Sequence, residues 1–306
     1  MALSPNMQGA LLMAVSMAGF TVNDILAKSA SASMNMGQVM LVRGVFASLL
    51  VIALAWYHGA LKRRNLKFHP MFGLRIVGEA SATVCFLLAL AHLPIANVSA
   101  VLQALPLAVT MGAALVYGEQ VGWRRWLAIV VGFAGVMVVV RPGFEGFSSY
   151  SLLALLCVVC CTVRDLATKQ IPAEIPSLVV SSGTAIAVTL CGLVLFQPLG
   201  GWSPLTASNV GMLAAAACML LVGYQGIIMA MRVGEISFIA PFRYTALLWA
   251  LLLGYLVFND VPDVPMYIGA ALIVASGIYT LYREQFVGRR RIVAETTEQS
   301  MAPDGL

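Results

Sequence analysis

Ten separate stretches of mainly apolar residues, each long enough to cross a bilayer, leave this chain few folds to choose from. A helix needs about 20 such residues to span a hydrocarbon core of about 30 Å. Lipid admits only segments whose backbone groups are satisfied internally. The stretches lie near residues 8–27, 37–57, 71–91, 95–117, 124–141, 150–168, 177–197, 209–231, 236–258 and 265–282. Pro94, Pro142 with Gly143, Pro172, Pro198 with Gly200 and Gly201, and Pro262 with Pro265 punctuate them, where helices are expected to stop. At 60% apolar and 10% charged residues, the chain exceeds the roughly 45–50% apolar content of soluble domains. The expected class is an all-α integral membrane protein of ten transmembrane helices. The first stretch is read as a retained span rather than a cleaved leader. No Lys or Arg precedes it, and Asn23, Asp24 and Lys28 separate it from the small residues Ala30, Ser31, Ala32 and Ser33.

Ten crossings put both termini on one side, and the cations then sort themselves. Lys62, Arg63, Arg64, Lys67, Arg124, Arg125, Lys169, Arg232, Arg283, Arg289, Arg290 and Arg291 share the side of the termini, while Lys28 and Arg141 face the other. The positive-inside rule makes both termini cytoplasmic and places the chain in the inner, or plasma, membrane. A net charge of +5 is thereby explained by orientation, and no nucleic-acid partner is expected. Residues 284–306 read as a cytoplasmic polar tail, a mobile extension of the last span.

An internal duplication adds a second constraint. Thr21-Val22-Asn23-Asp24-Ile25-Leu26-Ala27-Lys28 recurs as Thr162-Val163-Arg164-Asp165-Leu166-Ala167-Thr168-Lys169, at an offset of 141. The same offset pairs Leu11-Leu12 with Leu152-Leu153, and Glu119 with Asp260. It drifts by one near the end, pairing Gly135 with Gly277 and Arg141 with Arg283. Several matches at one offset mark a repeat. The halves are residues 1–141 and 142–283. Five spans per half is an odd number, so the second copy enters the membrane inverted, an arrangement suited to transporters that open a central site to each side in turn. Asp24 and Lys28 then lie at the outer end of span 1, and Asp165 and Lys169 at the inner end of span 6. They are candidate gates; the plainer reading is that they mark helix ends at the interface.

A charged side chain within a span costs about 2.5–3.5 kcal/mol or more on insertion scales unless it is paired or wet. Arg43 in span 2 and Arg243 in span 9 lie deepest, each about 10 Å from its span end by helical rise. Arg75 and Glu79, four residues apart, share a face of span 3 and are expected to pair along it. Glu79 is also a candidate proton carrier, beside Arg164. Gln103, Tyr224, Gln225, Arg243 and Tyr244, with Arg43, are the candidate substrate contacts. Arg243 offers a guanidinium fork and Tyr244 a ring to stack on. Asn97, Pro106, Pro241 and Thr245 can line the same cavity, although amides also serve as packing bonds between helices. Trp249 reads as packing.

Other chemistry is poorly represented. Cys157, Cys160 and Cys161 read as helix packing, since no second thiol or histidine cluster completes a metal set. His58, His69 and His92 lie in loops, and no nucleophile or Walker motif is present, so neither an enzyme nor an ATP-driven pump is indicated. No cofactor or metal is expected; the expected partners are a small-molecule substrate and membrane lipids, with a homodimer left open.

The two five-span halves, Arg43, Leu105-Pro106 followed by Gly118-Glu119, and the Gly132 and Gly135 pattern resemble the drug/metabolite transporter superfamily, EamA type. The resemblance runs over nearly the whole chain. The second half departs from it with Asn259-Asp260 in place of Gly118-Glu119 and Leu247 in place of Pro106. It implies ten helices, a cavity between the halves, and transport without ATP. Gln103-Ala104-Leu105-Pro106, Gly122-Trp123-Arg124-Arg125-Trp126 and Arg164-Asp165-Leu166-Ala167 look like a bacterial branch that includes riboflavin transporters, making riboflavin the first substrate expectation. Organic-anion, amino-acid or drug export, and a non-transporting receptor, are the alternatives.

Overall fold

Helices carry most of the described residues because every backbone N–H and C=O in hydrocarbon must find a partner within its own segment. The computed structural model describes residues 4–57, 59, 69–119, 121–142, 147–172, 175, 177–233 and 236–300. The basic cluster Lys62, Arg63, Arg64 and Lys67, and His58, lie outside the described residues, and the side chains of Arg232 and of residues 284–300 are likewise not described. Ten described segments are long and apolar enough to cross a membrane. The helices are α1 (Pro5–Ala30), α2 (Met36–Tyr57), α3 (Pro70–His92), α4 (Ile95–Leu102), α5 (Leu105–Tyr117), α6 (Trp123–Val140), α7 (Tyr150–Lys169), α8 (Ser177–Leu195), α9 (Ala207–Val233), α10 (Ile236–Ile239), α11 (Thr245–Phe258) and α12 (Val264–Ser300). A 3-10 segment, Ala240–Tyr244, joins α10 to α11.

Two spans expected to be continuous are broken. The fourth divides into α4 and α5 at Gln103 and Ala104, and the ninth passes through its 3-10 turn before α11 begins at Thr245. Pro106 and Pro241 stand close to the two breaks. A proline ring clashes with the carbonyl four residues back and donates no hydrogen bond, so the helix yields there. After the breaks α5 begins at Leu105 and α11 at Thr245, close to the offset of the repeat. At the other end, α12 runs beyond the last expected span to Ser300. The segment that reads as a mobile polar tail continues as helix, its Glu, Gln, Arg and Ala residues favouring that state.

The packing follows the duplication. α1 lies against α9 and α3 against α7; α2 pairs with α8, α4 with α11, and α6 with α12. Advancing every span by five maps this set of contacts onto itself, the geometry of two interlocked inverted halves. Helices in lipid gain little from apolar burial against one another and approach through small residues. A Cβ on Gly269 would come within 2.5 Å of the Gly135 carbonyl oxygen, and one on Gly135 within 2.7 Å of the Gly269 oxygen, so α6 and α12 meet backbone to backbone. Gly19, Gly223 and Gly226 do the same for α1 and α9, and Gly37, Gly44 and Gly192 for α2 and α8. Many large apolar side chains, such as Leu115, Val194 and Leu256, remain outward, as a lipid-facing surface requires.

Candidate functional site

Close packing at glycines draws the intramembrane charges together. Gly78 of α3 leaves room for the backbone of Arg164 on α7, which would lie 3.1 Å from an added Cβ. At this crossing the Arg164 guanidinium donates to Glu79 Oε2 at 3.0 Å and to Asp165 Oδ1 at 2.7 Å. One guanidinium thus holds two carboxylates through separate nitrogens, a geometry that a lysine ammonium does not reproduce. The pair expected between Arg75 and Glu79 along α3 is not formed. Arg75 donates to Thr168 Oγ1 at 2.8 Å, and Glu79 turns to the neighbouring helix because Arg164 offers a closer, deeper partner than a residue one turn away.

A second cluster joins α1 to α2. Asn23 Nδ2 donates to Asp24 Oδ1 at 2.8 Å, and Arg43 Nη1 donates to Asn23 Oδ1 at 3.2 Å. Asn23 is 2% exposed and Arg43 8%. The amide bridges a carboxylate and a guanidinium that lie within electrostatic reach of each other without touching. Asp24 and Asp165 are repeat equivalents, and each has a nearby guanidinium, but the sources differ: Arg164 is the next-door neighbour of Asp165, whereas Arg43 reaches from another helix.

Tyr224 of α9 connects the two clusters. It is 49% exposed, packs edge-on against Phe20 with ring centroids 5.2 Å apart, and lies within electrostatic reach of Arg43, Glu79, Arg164 and Arg75. The phenol thus lies near charges carried by α2, α3 and α7. Gln225 follows it and is also exposed; Gln103 sits at the end of α4, half-buried.

The remaining candidates are dispersed. Tyr244 is 6% exposed, lies over Gly277, and its hydroxyl has no hydrogen-bond partner among the described residues. Arg243 is exposed on the 3-10 segment. Trp249 donates from Nε1 to the Ala14 carbonyl at 3.0 Å, tying α11 to α1. Cys157 and Cys161 are buried with Ala82 and Cys85 in an apolar cluster. No group of metal-ligating side chains forms among the described residues.

The charges at the helix ends form pairs of their own. Lys28 donates to the Leu93 carbonyl, with Asp260 Oδ2 at 4.0 Å and the Phe258 ring centroid at 5.1 Å. Lys169 donates to Glu119, with the Tyr117 ring centroid at 5.3 Å. Arg141 donates to Asp263, which holds that carboxyl below the usual carboxylate range. Lys28 and Arg141 are the two cations assigned by sequence to the side opposite the termini, and both have carboxylate neighbours from the far end of the chain. Asn23, Glu119 and Asp260 were not among the candidate site residues. For the two acids the 141-residue offset was the available signal; for Asn23, its neighbour Asp24 was.

Comparison with known proteins fits this geometry. Residues 7–141 match the EamA-like transporter family. The match falls within the first half of the chain. Relatives align with almost the full length of the chain. The S-adenosylmethionine uptake transporter of Rickettsia prowazekii is 24% identical over 93% of this chain and 96% of its own. The riboflavin transporter of Vibrio cholerae is 29% identical over the same shares. The pseudopaline exporter of Pseudomonas aeruginosa is 28% identical over 88% and 94%. A crystal structure covering 91% of this chain and 98% of its own, at 19% identity and a TM-score of 0.58, shares the fold. With ten candidate spans and relatives that are transporters, the chain is a multi-pass membrane protein, and a transport role is supported.

Proposed function

We propose that this EamA-like protein is a secondary transporter that moves a small polar metabolite across the inner membrane by alternating access, without ATP, with riboflavin as its substrate. Residues 1–141 and 142–283 are the two units that rock against each other, both termini are cytoplasmic, and no chemical step is catalysed. The observation that carries the substrate reading is charge balance in the polar interior. Arg164 is taken up by Glu79 and Asp165, Arg43 lies near Asp24, and Arg75 is held by Thr168, so three guanidiniums stand against three carboxylates and these clusters carry no net positive charge to draw an organic anion. An uncharged, ring-bearing, polyhydroxylated substrate suits such a lining. Tyr224 supplies an aromatic face, and Gln103, Gln225 and Arg43 supply hydrogen-bond partners for an imide edge and hydroxyls. Arg243 and Tyr244 of the 3-10 segment are the remaining substrate contacts in this reading. Glu79 is the proton-coupling group, with Arg164 as its ion-pair partner.

A second reading comes from the first cluster. Asp24 and Arg43, held apart by Asn23, present a carboxylate and a guanidinium side by side, which matches a substrate bearing both an ammonium and a carboxylate. Counterflow in proteoliposomes separates the two. With riboflavin inside, labelled riboflavin is expected to accumulate transiently, and Tyr224→Ala is expected to reduce its rate by about tenfold, the loss of about 1.4 kcal/mol of ring contact. Exchange of S-adenosylmethionine with no effect of riboflavin at high concentration would select the second reading.

A further inference from the structure

The repeat carries the same device to both faces of the bundle. α5 ends at Gly118 with φ 67° and α11 at Asn259 with φ 55°, two left-handed residues at equivalent positions. A helix closes readily on such a residue when it is glycine or asparagine. The next residue's N–H then bonds back over the turn, Glu119 to Ala113 at 3.4 Å and Asp260 to Gly254 at 3.2 Å. Each acid is thus fixed just beyond an aromatic residue, Tyr117 or Phe258, that ends its helix. Across from each stands the lysine of the repeated motif in the other half. Lys28 comes from the first half and meets Phe258 and Asp260 of the second; Lys169 comes from the second and meets Tyr117 and Glu119 of the first.

We propose that these are two reciprocal latches, Lys28 with Asp260 and Phe258, and Lys169 with Glu119 and Tyr117, which close the central pathway at opposite faces of the membrane. Their placement follows from topology. Lys28 reaches Leu93 at the end of α3, and the chain crosses the membrane once, through α4 and α5, before arriving at Glu119. Each latch bridges the halves, so rocking them apart at one face must break it there. The two differ in wetness. The Lys28 and Asp260 side chains are 15% and 27% exposed, those of Lys169 and Glu119 60% and 47%. A water-exposed ion pair is weak and screened, whereas separating a drier one leaves a charge without compensation. Asp260 Oδ2 accepts no hydrogen bond among the described residues, and Lys28 Nζ lies 4.0 Å from it. The Lys28 end is therefore the drier of the two, with Lys28 anchored to the Leu93 carbonyl, while the Lys169 end is hydrogen-bonded directly but wet.

This inference rests on the alternating-access reading, but its test needs no substrate. Tyr224→Cys, in a background with the native cysteines replaced, is labelled with a membrane-impermeant maleimide in sealed vesicles of each orientation. Lys28→Gln or Asp260→Asn is expected to raise labelling from the Lys28 face by about tenfold, and Lys169→Gln or Glu119→Gln to raise it from the opposite face by a smaller factor. Swapping the partners, as Lys28→Asp with Asp260→Lys or Lys169→Glu with Glu119→Lys, is expected to return each rate toward that of the unaltered latch. Rates that do not change, rise from both faces together, or stay raised in the swapped variants would overturn the latches. Counterflow on the same preparations reports separately on transport.

Discussion

Arg164 shows how much one side chain organises in this membrane interior. Its Nε and Nη1 serve different carboxylates, Asp165 on its own helix and Glu79 on α3, with side chains between 17% and 35% exposed. Removing one member of a buried ion pair leaves the other uncompensated, at a cost of about 3–5 kcal/mol when burial is complete and less here. Arg164→Gln is expected to lower the melting temperature in detergent measurably, and Arg164→Lys to recover only part of it because a single ammonium does not fork. Adding Glu79→Gln to Arg164→Gln is expected to restore stability toward the parent. A double variant no more stable than Arg164→Gln alone would mean that Glu79 is not stabilised by this contact. The sequence showed Glu79 and Arg164 as intramembrane charges but pointed Glu79 at Arg75. Helical spacing within α3 was visible in the sequence, whereas the neighbouring helix that presents Arg164 was not.

Among the helices, the crossing of α6 and α12 depends on two glycines meeting through their backbones. A Cβ at Gly269 falls 2.5 Å from a carbonyl oxygen, which does not move aside as a flexible side chain would. Gly269→Ala is expected to push α12 off α6 at a cost of about 1–3 kcal/mol, the usual range for overpacking. Gly211 of α9 provides the contrast, since nothing lies within 4 Å of an added Cβ. Gly211→Ala is expected to be neutral or to stabilise by up to about 1 kcal/mol through helix propensity. Thermal unfolding of the two variants checks both signs. The breaks in the fourth and ninth spans belong to this scale too. Pro106 and Pro241 stand in the sequence as possible cavity-lining residues, yet both spans read as continuous because hydropathy is unaffected by a change in backbone geometry.

For the whole molecule, the inverted arrangement makes a prediction about sidedness. Single cysteines at Ser4 and Gln170 are expected to react from one side of the membrane, and cysteines at Ser31 and Asp263 from the other, each lying just beyond a helix end. Impermeant labelling of intact cells, before and after permeabilisation, checks this. Gln170 reacting from the same side as Ser31 would break the five-and-five inversion. The pairs at the ends of the bundle give this scale its mechanical interest, because Lys28 and Lys169 each contact the half to which they do not belong.

The sequence by itself determined the ten spans and carries the 141-residue duplication, because hydropathy and internal similarity are properties of local stretches and need no knowledge of neighbours. Only the tertiary structure decided which charges meet: Glu79 with Arg164, Arg43 with Asn23, Lys28 near Asp260 and Lys169 with Glu119. Those pairings depend on how far each helix is rotated and how closely it crosses the next. The contacts that set rotation and distance are made by glycines and partners distant in the chain, and no local pattern records them.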